Sequence, residues 1–306
     1  MGGPLLRWKR DSWFVHDLYP SDIALMERSS LEQAVRQSAQ SAYLGKGVVL
    51  ARVLTRYKMF VHTDDVGFAC HVMMDGFWES WISLFFARMI KPGMRVIDVG
   101  ANYGYYTLLF ADIVTAAGTV VAVEPNPRAV ELLQRSIDLN GFAAQTRVVE
   151  AALGACEGGM GQLLVPVGEP KNAHLTDEPG GSGALYTVST TTLDQVAEGL
   201  DRVDFIKIDA EGGEEAILSG MEAIIRRDRP ALVLEFNARR CRDPAGLIAG
   251  LLKTYGEMNV IGYDGYARPV DAEVLLAERV GEDWMLYFGP ITSPAPETTD
   301  DPPSTI

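Results

Sequence analysis

Apolar positions change rhythm along this chain, and the changes divide it. From residue 95 onward, short apolar runs alternate with segments of helical period. Arg95–Val99 reads as a buried strand followed by a helix over Tyr105–Ile113. Val120–Glu124 reads the same way, with a helix over Ala129–Leu139 that ends at Asn140-Gly141. A third strand is predicted over Arg147–Ala152. An irregular Gly- and Pro-rich stretch from Gly154 to Gly183 then interrupts the rhythm. Asp204–Asp209 and Ala231–Phe236 read as buried strands around a helix over Glu214–Arg227. Such alternation predicts a doubly wound α/β domain with a parallel sheet, covering residues 76–290. Asn259–Gly262 and Trp284–Phe288 predict an antiparallel edge.

Residues 1–75 have a different texture and are expected to form an α+β extension. Ser29–Gln40 reads as a polar helix, and Val48–Leu54, Lys58–His62 and Phe68–Met73 as short strands. The extension is a candidate cover for an acceptor or a contact in a homo-oligomer. A helix over Phe77–Ile90 follows, stopped by Lys91-Pro92-Gly93. The tail from Thr292, rich in Pro, Thr and Asp, is expected to be disordered (residues 291–306).

Composition narrows the function. In 306 residues, 47% are hydrophobic, enough for a large core, and the formal net charge is -14. That charge disfavours nucleic acid and anionic membranes as partners. Arg7, Lys9 and Arg10 form too short a basic group to reverse it, and Arg226, Arg227 and Arg229 suit a helix C-terminus. Cys70, Cys156 and Cys241 show no metal-like spacing, which fits a reducing compartment. Phe77–Ile90 is too short and too charged to span a bilayer, and no secretory leader is visible, so a cytoplasmic location is expected.

The candidate chemistry sits at strand ends. Asp98-Val99-Gly100-Ala101-Asn102-Tyr103-Gly104 leads from the first strand of the alternating series into a helix. It lacks the G-x-G-x-x-G that seats a pyrophosphate on a helix N-terminus, which disfavours NAD. S-adenosylmethionine carries an ammonium, a carboxylate, a sulfonium and a ribose diol. Asp98 suits the cationic end, and N–H groups of the Gly100–Gly104 loop suit the carboxylate. Glu124 at the next strand tip suits the two ribose hydroxyls. Asn126 opens the following helix, and the adenine is expected near Glu150 and Ala151.

These residues resemble the FkbM-type methyltransferases. The resemblance is carried by Val96–Tyr106, by Val123-Glu124-Pro125-Asn126-Pro127, by Thr191-Thr192-Leu193-Asp194, and by Phe205-Ile206-Lys207-Ile208-Asp209-Ala210-Glu211-Gly212-Gly213-Glu214. Pro230 and Glu235 also fit, and Gly213 stands where the family pattern has Ala. The resemblance spans roughly residues 75–240 and leaves the N-terminal extension outside. It implies methyl transfer from S-adenosylmethionine, usually to a hydroxyl oxygen of a sugar or natural product. It also implies the seven-stranded Rossmann-like methyltransferase sheet, with Trp284–Phe288 as its antiparallel last strand.

Methyl transfer to a hydroxyl gains from alignment and from a general base. Asp209 at a strand end is the candidate base, with Glu211 beside it. Glu214 and Glu215 are expected to serve only the helix dipole. Lys207, inside an apolar strand, is expected to pair with a buried carboxylate such as Asp209 or Glu235. A Mg²⁺ ion held by Asp209, Glu235 and Asn237 is a less favoured alternative. His16 and His62 lack motif context, His71 reads as a core residue, and His174 in the insertion is a candidate pocket cover. Trp78 and Glu79 are candidates to close over the cofactor. A protein acceptor, a NAD-dependent oxidoreductase and a catalytically silent scaffold complete the alternatives.

Overall fold

Local sequence explains most of the elements. The computed structural model describes residues 17–176 and 182–290. The expected tail, His16 and the Arg7, Lys9, Arg10 group lie outside them. Helix α1 (Pro20–Leu25) precedes α2 (Arg28–Ser38), which turns Leu31, Val35 and Ser38 inward at helical spacing. Strands β1 (Ser41–Gly45), β2 (Val48–Val53) and β3 (Tyr57–His62) form an antiparallel sheet, with alternate residues Val49, Ala51 and Val53 of β2 buried.

The third strand expected in this region is absent. Residues 68–73 lie in helix α3 (Val66–Met74), where Phe68, Ala69 and Val72 are buried. That i, i+1, i+4 pattern is a helical face, and the unbroken apolar run hid it. The change also turns His71 outward, where it is exposed and lies 3.5 Å from Asp75 one turn away; it is not a core residue.

Helix α4 (Ser80–Met89) is buried almost all round. Its Phe86 ring lies 4.8 Å from Phe110 and 5.8 Å from Phe205, which joins it to the large sheet and its helices. There β4 (Arg95–Val99), α5 (Tyr105–Val114), β5 (Thr119–Val123), α6 (Pro127–Leu139) and β6 (Thr146–Val149) follow the expected alternation. The third predicted strand splits at Glu150. Beyond it, β7 (Ala152–Leu153) leaves the large sheet and pairs with β10 (Gly183–Thr191).

The stretch read as irregular is instead a second small sheet. Strand β8 (Gly159–Pro166) pairs antiparallel with β10 along its whole length, and β9 (His174–Leu175) pairs with β8. Leu163, Val165 and Val188 bury one face of it. Glycines at 154, 158, 159, 161 and 168 masked the alternation.

After α7 (Leu193–Val196) and β11 (Phe205–Ile208), the single predicted helix breaks into α8 (Glu214–Ser219) and α9 (Glu222–Asp228). A Cβ on Gly220 would lie 2.2 Å from the Gly154 carbonyl oxygen, so the chain turns there. Asp194 restarts it by accepting the Ala223 and Ile224 N–H groups at 2.9 and 2.8 Å. Then come β12 (Ala231–Phe236), α10 (Pro244–Tyr255), β13 (Asn259–Ile261), β14 (Ala267–Pro269) and β15 (Trp284–Phe288).

The large sheet has the order β14-β13-β15-β12-β11-β4-β5-β6. It is mixed, with β15 antiparallel to both β12 and β13. The predicted antiparallel last strand is present, but it lies inside the sheet rather than at an edge. Its Trp284, Leu286, Tyr287 and Phe288 are all buried, as an interior strand requires. The hairpin partner β14 adds an eighth strand to the expected seven.

Candidate functional site

The carboxyl ends of β4, β5, β11 and β12 open into one cavity of about 430 Å³, roofed by the small sheet. Pockets for small molecules commonly have this size. The first wall is the loop after β4. Gly100 has φ +71°, and a Cβ there would come within 1.8 Å of the Asp209 carbonyl oxygen. Only glycine lets the ends of β4 and β11 approach so closely. Asn102 also sits in the left-handed region, at φ +50°. Its N–H donates to Glu124 Oε2 at 2.8 Å.

Glu124 Oε1 accepts the Asn126 N–H, also at 2.8 Å. A carboxylate has about four acceptor positions, so two remain for a ligand. Glu124 lines the cavity, and burial, only partly offset by the two N–H donors, pushes its pKa up to about 7.

Beneath the loop lies a buried ion cluster. Lys207 Nζ is 3.5 Å from Asp98 and 3.3 Å from Asp209, and donates to the Val99 and Gly100 carbonyls at 3.3 and 3.2 Å. Burial alone would lower its pKa, but Asp209 and Asp98 more than offset this and raise it. The lysine therefore stays charged and ties β11 to the β4 loop.

On the far side, Asp209, Glu211 and Glu235 bring oxygens within 4.8 Å of one another. Arg240 Nη1 lies between two of them, 3.1 Å from Glu211 and 2.9 Å from Glu235, and its Nη2 is 3.0 Å from Asp283. Burial and then Asp209 raise the pKa of both glutamates, Glu235 most strongly. Glu214 holds the intervening turn, accepting the Ala210 and Gly212 N–H groups at 3.0 and 3.2 Å. Its role is to shape the site, beyond the dipole role expected for it. Asn237 turns away and donates to Asp283 and the Gly281 carbonyl, so it is not the third oxygen of this group.

Gly100, Asn102, Glu124, Ala151, Asp209 and Glu211 thus share one cavity, as do Glu79, Trp78 and His174. Four sequence candidates do not line it. Asp98 is fully buried behind the loop, accepts the Thr107 hydroxyl at 2.6 Å and faces Lys207. Gly104 begins α5 at φ +95° against Leu133. Asn126 caps α6 through the Arg128 N–H. Glu150 lies outside the cavity, its carbonyl accepting the Ser189 hydroxyl.

The sequence model of the methyltransferase FkbM domain matches residues 98–258, just over half of the chain, and this span holds most of the cavity. The chain belongs to the FkbM methyltransferase family. Among curated proteins it resembles methyltransferase sdnD of Sordaria araneosa, 25% identical over 42% of this chain and 60% of that one. A protein-L-isoaspartate O-methyltransferase of Aeropyrum pernix is 39% identical, over 19% of this chain and 23% of that one. The chain thus spans less than two thirds of these relatives. A solved FkbM methyltransferase from Methylobacillus flagellatus KT aligns with 69% of this chain and 53% of its own, at 17% identity and TM-score 0.41.

Within this FkbM domain, the residues fit S-adenosylmethionine. Glu124 keeps free acceptor positions toward the cavity, the β4 loop is opened by Gly100, and Ala151, Ala152 and Leu153 give an apolar wall. Several lining residues carried no sequence signal: Lys171, Arg240 and Asp283. The Lys171 ammonium comes from the turn between β8 and β9 and lies 5.9 Å from the Trp78 ring. Their positions depend on how the insertion and the end of β12 fold back. Among the described residues no helix is long and apolar enough to cross a membrane.

Proposed function

We propose that this chain transfers the methyl group of S-adenosylmethionine to a hydroxyl oxygen of a polyhydroxylated small molecule, such as a sugar, glycan or natural product. The observation that carries this reading is Asp209. It stands at the end of β11 on the cavity floor, oriented by Lys207 at 3.3 Å, with Glu211 and Glu235 beside it. When bound, S-adenosylmethionine supplies an electrophilic methyl on a sulfonium. Glu124 holds the ribose hydroxyls and Ala151–Leu153 flank the adenine, while the Gly100, Ala101 and Asn102 N–H groups are spent inside the protein, on the Val123 carbonyl and Glu124. Asp209 accepts the acceptor's hydroxyl proton while Lys207 keeps the carboxylate turned to the cavity. Glu211 and Glu235, with raised pKa values, accept or donate hydrogen bonds to neighbouring hydroxyls. The NAD reading is set aside because the β4 loop lacks the pyrophosphate fingerprint. The isoaspartate enzymes match over too short a span to carry a protein acceptor across.

Methylation of a panel of polyols and glycosides, followed by mass spectrometry, tests this directly. Asp209→Asn should lower kcat by about 10²–10⁴-fold while S-adenosylhomocysteine still binds. Full activity in that variant would remove Asp209 from its role. Activity should also survive EDTA, because Arg240 already stands as a cation between Glu211 and Glu235. Loss in EDTA with recovery in Mg²⁺ would instead assign Asp209, Glu211 and Glu235 to a cation.

A further inference from the structure

The burial of Asp98 leaves the ammonium of the cofactor without the partner that the sequence suggested. Glu124 stands at the ribose end with both oxygens on backbone N–H groups, and Asp209 faces Lys207. Glu211, Glu235 and Asp283 are all held by Arg240. One carboxylate of the cavity wall remains, that of Glu79.

Its setting is unusual. Glu79 precedes α4 with φ 37° and ψ 65°, a left-handed conformation that is strained for a non-glycine residue. The backbone is pinned there, since its carbonyl accepts the Ile82 and Ser83 N–H groups at 3.0 and 3.1 Å. The side chain is thereby directed at α5, where Tyr106 donates its hydroxyl to Glu79 Oε2 at 2.6 Å. Oε1 accepts no hydrogen bond from the described residues, and both side chains line the cavity. The Tyr106 ring lies 5.4 Å from Lys207 Nζ, the group that supports the β4 loop from below. Glu79 and Tyr106 therefore share the cavity with the Gly100–Asn102 loop, linked to it through Lys207. Burial pushes the Glu79 carboxyl up to about 7, so its ionised form is costly here and an arriving cation would favour it.

We propose that Glu79, oriented by Tyr106, receives the α-ammonium of S-adenosylmethionine, and that Asp98 only braces the loop from behind. This assignment rests on the cofactor reading made above. It gives the two ends of the ligand separate anchors, Glu124 for the ribose and Glu79 for the amino acid. The segment Phe77–Glu79, outside the matched domain, becomes part of the site.

The test is calorimetric titration of the wild-type protein, Glu79→Gln and Tyr106→Phe with two ligands. S-adenosylhomocysteine carries the ammonium; 5′-methylthioadenosine keeps the nucleoside and sulfur but lacks the amino acid. Glu79→Gln preserves volume and the acceptor for Tyr106 while removing the charge. It should weaken S-adenosylhomocysteine by roughly tenfold to a hundredfold and leave 5′-methylthioadenosine within about twofold. Tyr106→Phe should weaken only S-adenosylhomocysteine, and less. Unchanged S-adenosylhomocysteine binding by Glu79→Gln overturns the assignment, and equal loss of both ligands makes Glu79 merely structural. If the wild-type protein binds neither ligand, the cofactor reading itself fails and the assignment falls with it.

Discussion

Gly100 offers a direct way to perturb the join between the two halves of the site. In Gly100→Ala the new methyl would lie 1.8 Å from the Asp209 carbonyl oxygen, which is backbone and cannot rotate away. The φ of +71° adds a second cost. A left-handed alanine costs about 1–2 kcal/mol, and forcing a methyl into filled space typically adds about 1–3 kcal/mol. The sum is about 2–5 kcal/mol. Gly141 is the matched control: its φ is +75°, but nothing lies within 4 Å of a Cβ there. Gly141→Ala should therefore show only the conformational part. Urea denaturation of both variants separates the two contributions. Binding of S-adenosylhomocysteine provides an independent readout, because displaced β4 and β11 ends would disrupt the cavity. If Gly100→Ala is no less stable than Gly141→Ala and binds ligand normally, the close approach of the two strand ends is refuted.

Other consequences follow from the same geometry. Asp194→Ala removes the cap of α9 and should cost about 0.5–2 kcal/mol in denaturant melts without changing S-adenosylhomocysteine affinity; an affinity loss would place this residue in the site. Burial raises Glu79 and Glu124 from 4.5 to about 7, and Asp65 from 3.8 to about 6. The folded state thus holds protons that the unfolded chain releases. Their contribution to stability is complete below about pH 4 and is lost as pH rises through about 7. The ligand-free protein should lose up to about 1.4 kcal/mol per pH unit for each group across that window. A Tm that stays flat or rises from acidic to neutral pH in calorimetry would contradict this.

How far the sequence revealed the site depended on what each residue type must do. The strands and the Asp98–Gly104 loop were legible because buried parallel strands are continuous apolar runs, and tight strand-end loops need glycine. Glu124 and Asp209 could be placed because both end such strands. Asp98 could not be oriented from the sequence for a physical reason: a strand-end carboxylate can face the cavity or the sheet interior, and a one-residue rotation decides which. Lys207 was the clue, since a lysine in an apolar strand needs a buried anion, and Asp98 supplies one. The small sheet was hidden by its glycines, and α3 by an apolar run too uniform to show its period. Arg240 and Lys171 reach the cavity only through the folded path of loops, which local pattern does not encode.

The central claim is that this cavity holds S-adenosylmethionine. Calorimetric titration of the wild-type protein and Glu124→Ala with S-adenosylhomocysteine, with NAD in parallel, tests it most directly. The account predicts saturable binding of S-adenosylhomocysteine alone, weakened in Glu124→Ala by on the order of 1.5–3 kcal/mol through loss of the charged ribose acceptor. Binding of NAD instead, or no binding of S-adenosylhomocysteine, would contradict it.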